Sequence, residues 1–330
     1  MLWDIGIELG SGTVRMATRE QGFCFSAPSH GALRDGKLIA IGEEALDMLG
    51  RTPPGVTVCR PMVGGVIAEP RLVGQWLTRL LRPFVNGSRV TRPQVVFLDN
   101  GYMRQSERDS LVAAVTEMGI GRCGFLASDL AAAAGAGCDL RGAGGIGLVN
   151  LGADTLGCAL VAGARTLNAV RRPFGMNRAV EEIIRLVRRN DGLVIGPRTA
   201  EDLKLQLADA LPERDVTARA SGLDMATGFP GERMVSSRTV RQAVEPVLQA
   251  LYGCCLQLTQ AVSEELCADL SERGLVLTGG GCALSGLAQA IEQALGIRCV
   301  LPEAPGLCAG KGMAAILQDE ELSDLTVQPV

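Results

Sequence analysis

One phrase is written twice in this chain. Ile7-Glu8-Leu9-Gly10-Ser11-Gly12-Thr13 aligns with Val149-Asn150-Leu151-Gly152-Ala153-Asp154-Thr155. Each copy has an apolar residue, a polar head, Leu, Gly, two small or polar residues and Thr. Each runs on into a β-leaning stretch, Val14-Arg15-Met16-Ala17 and Cys158-Ala159-Leu160-Val161. A strand–glycine turn–strand unit in two distant copies predicts two similar lobes rather than a solenoid, because internal repeats fix architecture. At 330 residues and 47% hydrophobic composition the chain can build more than one core.

Composition excludes several functions. Aromatics are 3% of the chain and the net charge is −4, which argues against stacking platforms for single strands and against a phosphate-backbone binder. A single histidine, His30, nearly removes histidine metal sites and the serine–histidine triad. Eleven scattered cysteines with no C-x-x-C spacing read as reduced cytosolic thiols. Asp4 interrupts the apolar start, so no signal peptide is expected. The most apolar long stretch, 142–164, carries Asn150, Asp154 and many glycines and reads as a buried strand pair, not a membrane span.

Strand and helix signals alternate in both halves, which makes the class α/β. Apolar residues at three- and four-residue steps predict a helix over 68–82, and Ser106 to Gly119 bounds another. Val95–Leu98 is a short buried strand. Asn177 is the expected cap of a helix ending near Gly192, and Thr199 and Asp202 form a capping pattern. A long helical region spans 239–266, disturbed at Pro246, and the last dozen residues read as a polar tail.

Glycine turns suit phosphate because glycine adopts angles other residues avoid and lets N–H groups approach an anion. Two such hairpins facing each other would clamp a polyphosphate. A third element, Leu275-Val276-Leu277-Thr278-Gly279-Gly280-Gly281-Cys282-Ala283, reads as strand, triple glycine and a helix from about Ala283, whose N-terminus would favour an anion; it reads equally as a tight connection. Gly142-Ala143-Gly144-Gly145-Ile146-Gly147 matches the dinucleotide spacing but precedes a strand instead of opening a helix, so it is a connection between lobes.

In this order the elements resemble the actin-like ATPase superfamily, and within it the MreB family of bacterial rod-shape-determining actin homologues. The first hairpin looks like the family's D-x-G-T-A-N-T segment. Ile39–Ala45, Met48–Pro53, Arg60–Met62, Gly65–Ala68, Ile195–Glu201, Gly222–Gly228 and Leu277–Gly281 follow family phrases over about residues 4 to 317. The resemblance implies an α/β actin-like ATPase fold, two similar ribonuclease-H-like lobes around a nucleotide cleft. Its four subdomains would be IA (1–31 and 66–146), IB (32–65), IIA (147–180 and 252–318) and IIB (181–251), with 319–330 as the tail. It implies ATP and Mg²⁺ as cofactors, with Gly10, Ser11, Gly12, Thr13, Gly152, Ala153 and Asp154 at the phosphates. Glu201 and Lys204 would approach the nucleoside, although alone they read as a solvated pair one helical turn apart. Gly279, Gly280, Gly281, Cys282 and Ala283 would hold the adenosine side.

The departures from the family fall on the chemistry. The first hairpin's acid is Glu8, one methylene longer, and the second's is Asn150, which offers Mg²⁺ no charge. The family's water-orienting Glu aligns with Ser128, with Asp129 one place on. Asp154 stands where backbone alone would face phosphate; its carboxylate either repels the anion or, with Glu8, binds Mg²⁺. Acid–base and water-positioning groups contribute ~10²–10⁴-fold in rate, so hydrolysis should be crippled while binding survives. The family meets membranes through an N-terminal amphipathic helix or an apolar loop pair. Here Leu2 and Trp3 are too few for such a helix and read as core, and Val90-Thr91 is a diluted loop pair. The expected protein is therefore a cytoplasmic, filament-forming cytoskeletal protein of cell shape and at most a weak ATPase. Its main partner would be itself, then other MreB-like subunits and membrane proteins of cell-wall synthesis, with no nucleic acid and only weak or indirect membrane contact. The alternative is a nucleotide-insensitive pseudo-actin that binds partners or modulates filaments. A sugar kinase would need a catalytic aspartate beside an acceptor pocket, for which there is no sign.

Overall fold

The first glycine phrase folds into the hairpin its pattern predicts: β1 (Ile5–Leu9) and β2 (Thr13–Thr18) pair antiparallel, with Leu9 opposite Val14 and Glu8 opposite Arg15. The structure is a computed structural model that describes residues 3–85, 92–211 and 215–330. Its contacts divide it into two units, Met1–Leu148 with Ala159–Leu167 and Leu307–Val330, and Val149–Cys158 with Asn168–Gly306.

After β2 come β3 (Gly22–Pro28), β4 (Gly31–Arg34), β5 (Lys37–Ile41), α1 (Glu43–Asp47), β6 (Val56–Cys59), β7 (Met62–Val63) and β8 (Val66–Ile67). Then follow α2 (Pro70–Val85), β9 (Gln94–Asp99), α3 (Gln105–Glu117), β10 (Arg122–Ala127) and α4 (Ser128–Gly135). The second copy of the phrase gives β11 (Ile146–Leu151) and β12 (Leu156–Ala162), followed by β13 (Arg165–Arg172), α5 (Met176–Asp191), β14 (Leu193–Val194) and α6 (Pro197–Leu207). The chain continues through β15 (Thr217–Asp224), β16 (Pro230–Ser236), α7 (Ser237–Gln260), α8 (Glu264–Arg273), β17 (Leu275–Thr278), α9 (Leu287–Leu295) and β18 (Cys299–Val300). It closes with α10 (Cys308–Gln318), α11 (Glu320–Thr326) and β19 (Val327–Pro329).

The first unit is built on a six-stranded sheet ordered β19-β10-β9-β1-β2-β3. The β1–β9 and β9–β10 pairs are parallel, as strands joined by helical crossovers must be. The predicted apolar stripe of α2 buries Leu72, Val73, Trp76, Leu77, Leu80 and Leu81 against Ile5, Ile7, Val95 and Phe97. A separate three-stranded sheet, β5-β4-β6, lies over a small core of Ala32, Ala40, Ala45 and Val56. A five-stranded sheet runs β13-β12-β11-β17-β18, and a three-stranded sheet, β14-β15-β16, is built from Leu193–Val194, Thr217–Asp224 and Pro230–Ser236.

Several sequence expectations need correction. Residues 319–330 are not a polar tail. Asp319 caps α11, its side chain accepting from the Leu322 amide at 2.9 Å, and β19 adds an antiparallel strand to β10. By contacts, residues 307–318 group with Met1–Leu148. The reason is a close helix crossing, since a Cβ on Gly135 would lie 1.8 Å from the Cys308 carbonyl oxygen. Pro246 does not break α7, which ends at Gln260; Ser263 then caps the separate α8. Gly175, not Asn177, precedes α5, and Pro197 opens α6 behind Gly196, so Thr199 is inside the helix and not its cap. Trp3 is core, 2% exposed with the Arg122 guanidinium over its ring. Leu2, Val90 and Thr91 lie outside the described residues. Among the described residues no helix is long and apolar enough to cross a membrane.

Candidate functional site

The two glycine turns close with the same bond. Gly10 N–H donates to the Thr13 carbonyl at 3.0 Å, and Gly152 N–H donates to the Thr155 carbonyl at 2.8 Å. A Cβ on Gly10 would stand 2.6 Å from that Thr13 oxygen, so the tightness of the turn requires glycine. The duplicated spelling thus produces a duplicated backbone geometry.

In the first unit, the Ser29 amide donates to the Gly12 carbonyl at 3.0 Å and holds the turn from β3's end. The hydroxyls of Ser11 and Ser29 are buried without a hydrogen-bond partner among the described residues. Buried polar atoms are nearly always paired, so these two are spare hydrogen-bonding groups at the turn. Glu8 sits at the base of the turn, where its Oε2 accepts from Arg15 Nη1 at 2.7 Å; Arg15 is 11% and Glu8 19% exposed. Ser128 and Asp129 open α4 and are both buried, at 9% and 6% exposure.

In the second unit the turn is sealed by the start of α5. The amides of Met176 and Asn177 donate to the carbonyls of Gly152 and Ala153, at 3.1 and 2.7 Å. These helix-start N–H groups are thereby committed to protein. Gly175 makes the approach possible, because a Cβ there would come within 2.5 Å of the Ala153 oxygen. Asp154 Oδ1 accepts from Asn177 Nδ2 at 2.6 Å.

The triple-glycine loop packs against this turn. Gly279 has φ +88°, and a side chain there would meet Asn150 Oδ1 and the Leu151 carbonyl at 2.5 Å. Its amide donates to the Pro305 carbonyl at 2.9 Å. A Cβ on Gly281 would run into Leu151 and Met176, whereas Gly280 faces open space. The helix expected from Ala283 starts at Leu287; Gly280–Ala283 is a short 3₁₀ turn instead. Cys282 is fully buried, so only its backbone is available to a ligand, while Ala283 is exposed. Glu201 and Lys204 face each other on α6 at 2.7 Å, with Lys204 11% exposed and Glu201 42% exposed. Each therefore partly neutralises the other.

Sequence reasoning missed Arg15, Ser29 and Pro305, whereas the resemblance had already set Gly175-Met176-Asn177 near the nucleotide, at a family Gly-Asp-Glu. Arg15 was within reach, because a hairpin with Leu9 opposite Val14 must place Glu8 opposite Arg15. The others are brought in by tertiary approach. Among the described residues no three His, Cys, Asp or Glu side chains converge as metal ligands.

A family model described as MreB/Mbl protein matches residues 2–324. The cell shape-determining protein MreB of Escherichia coli (strain K12) is 30% identical over 325 residues, covering 96% of this chain and 93% of its own length. Among solved structures, MreB5 of Spiroplasma citri bound to ADP superposes with a TM-score of 0.89 at 22% identity, over 94% of this chain and 95% of that one. A MamK double helical filament superposes with a TM-score of 0.80 at 16% identity, over 96% and 98%. Both structures are similar in fold throughout.

Proposed function

The chain belongs to the MreB/Mbl protein family, and from that premise we propose that it is an ATP-binding, filament-forming cytoskeletal protein of cell-shape determination whose hydrolysis is weakened or lost. The relative in Escherichia coli is a cell shape-determining protein, and the MamK structure is a filament. The nucleotide is supported by the bound ADP of MreB5 and by this chain's own turns. The observation that carries the reading is the repeated closure of Gly10 on Thr13 and Gly152 on Thr155, with the buried, unpartnered Ser11 hydroxyl in the first turn. Such turns bind phosphate through main-chain amides, which survive side-chain divergence. Gly10–Thr13 and Gly152–Asp154 are assigned to phosphate, Gly279–Ala283 to the adenosine side, and Glu201 with Lys204 to the nucleoside.

Weakened hydrolysis follows from side chains. Asn150 cannot take a proton, Ser128 stands where the family positions water with a carboxylate, and Glu8 is tied to Arg15. The Mg²⁺ that the resemblance implies does not fit, since Glu8 and Asp154 are both engaged by protein donors. Self-assembly is the expected partnership, with other MreB-like subunits and cell-wall synthesis membrane proteins as further partners. One observation favours the nucleotide-insensitive alternative: Asp154 puts a carboxylate in a turn that would otherwise offer only amides, and Asn177 fixes it there. Titration calorimetry with ATP, an ATPase assay and electron microscopy with and without ATP test the proposal. Binding, slow turnover and ATP-dependent filaments are expected. Turnover like that of active bacterial actins would overturn the lost-hydrolysis reading, and no heat with ATP would overturn the binding.

A further inference from the structure

We propose that nucleotide binding by this chain does not depend on Mg²⁺, because Arg15 occupies the carboxylate at the base of the first glycine turn and Asn177 engages that of the second. The inference rests on the nucleotide reading of these turns. Mg²⁺ demands near-octahedral oxygen ligands and is usually held by one or two protein carboxylates together with substrate phosphates. Each turn of this chain has one carboxylate to offer, and neither is uncommitted.

In the first unit Glu8 and Arg15 are cross-strand partners, joined at 2.7 Å and mostly out of water. A dication brought to Glu8 would face the cationic Arg15 guanidinium, joined to that carboxylate at 2.7 Å. Displacing Arg15 instead would leave a buried cation unpaired, the costly way to break such a pair. Arg15 also keeps a buried Nε–H with no partner among the described residues, as do the hydroxyls of Ser11 and Ser29. The turn's carboxylate is therefore already offset by an internal guanidinium, and the spare donors beside it need no metal to meet an anion.

In the second unit the Asn177 side chain bonds Asp154 at 2.6 Å while its own amide bonds the Ala153 carbonyl at 2.7 Å. Both ends of the asparagine are thus fixed on the turn, and one oxygen of Asp154 is held by the shorter of the two bonds. Asn150, the other polar head, is a neutral amide and a poor Mg²⁺ ligand.

Titration calorimetry of the full chain with ATP, in EDTA and in excess Mg²⁺, tests this. The expected result is binding in both buffers with Kd values within about threefold. Binding seen only with Mg²⁺ would overturn the inference and leave the nucleotide reading intact. Absence of binding in both buffers would overturn the nucleotide reading itself and this inference with it. Arg15→Gln, checked for folding by its melting curve, should create metal dependence by releasing Glu8, with affinity about tenfold higher in Mg²⁺ than in EDTA. Should that variant not fold, Asn177→Ala should do the same through Asp154. Equal affinities for a folded variant in the two buffers would show that its ion pair or amide does not keep the metal out, and would overturn the inference at that turn.

Discussion

A methyl group on Gly312 would lie 1.7 Å from the carbonyl oxygen of Ala131. That is less than half a normal van der Waals contact, and the obstacle is backbone, which cannot rotate away. α10 also packs on the β1–β3 hairpins, with Gly310 against Phe23 and Met313 against Gly6. Gly312→Ala must therefore force α10 away from α4 and disturb the strands that carry the first glycine turn. Overpacking costs about 1–3 kcal/mol where side chains can adjust, and the upper end or more is expected for this crossing. Chemical denaturation should show a clearly lowered midpoint. An unchanged midpoint would mean that the two helices are not in backbone contact.

This crossing also marks how far the sequence could be read. The glycine turns, the α2 stripe and the α/β alternation were legible because each depends on local pattern: a tight Gly-to-Thr turn, helical spacing, strand length. Gly312 and Gly135 carry no local signal, since their smallness matters only once two distant helices meet. The same holds for Asn177, whose place in the sequence suggests a cap; its bond to the turn exists only because the turn at Gly152 rests on α5. β19 was hidden for a related reason. Val327-Gln328-Pro329 is too short for periodicity to register, and only its partner β10 makes it a strand. The Glu8–Arg15 pair, by contrast, was implicit in the hairpin register and could have been drawn from the sequence.

Asp154→Asn should strengthen ATP binding. The substitution removes a negative charge from the second glycine turn and leaves the main-chain amides where they are. At an effective dielectric near 20, one like charge ~6 Å away costs on the order of 2–3 kcal/mol before screening, so a gain of about five- to tenfold in Kd is expected. Calorimetry in EDTA measures it. Weaker binding by the variant would mean that the carboxylate helps to hold the ligand.

His30 should give the protein an acid-sensitive stability of its own. Burial, and then the nearby Arg60, lowers its imidazole below the ordinary 6.5. The unfolded chain therefore binds this proton more readily than the folded one. The stabilisation is complete above pH 6.5 and is lost as pH falls from 6.5 to the lowered folded value, below which nothing more is lost. His30→Gln should flatten the stability curve in that window. Because the chain has one histidine, a single imidazole resonance reports the titration directly. A midpoint at or above 6.5 would contradict the burial.

Thiol labelling should sort the cysteines by environment. Cys158 and Cys255 lie with their sulfurs 3.3 Å apart, and the Cys158 thiol is held well above its ordinary value by that contact and by burial. Burial pushes Cys123 up to about 12. The thiolate is the reactive species, so Cys158 and Cys123 should resist iodoacetamide at neutral pH until the protein unfolds, and Cys255, 1% exposed, should be shielded by burial. Cys24 is exposed and should be modified first, although burial of its neighbourhood raises its thiol somewhat. Mass spectrometry of native and denatured samples reads the order, and native labelling of Cys158 at the rate of Cys24 would contradict its burial.

Removing residues 327–330 should expose a sheet edge. Leu126, Phe125 and Gly124 of β10 pair with Val327, Gln328 and Pro329, and the Val330 amide donates to the Cys123 carbonyl at 3.0 Å. Val327 is 6% exposed and lies against Gly124, which Trp3 covers from nearby. Truncation therefore uncovers about one buried valine, worth ~2 kcal/mol, and leaves β10 with a free row of N–H and C=O groups. Such an edge pairs readily with other chains, whereas Pro329, which cannot donate a ladder bond, currently ends the sheet. The truncated protein should melt earlier and form larger species on size exclusion as concentration rises. Val327→Ala keeps the strand and loses only the packing, so it should lower the melting temperature without the aggregation. If the truncated chain stayed monodisperse at its original melting temperature, β19 would be an ornament on the sheet and not its closure.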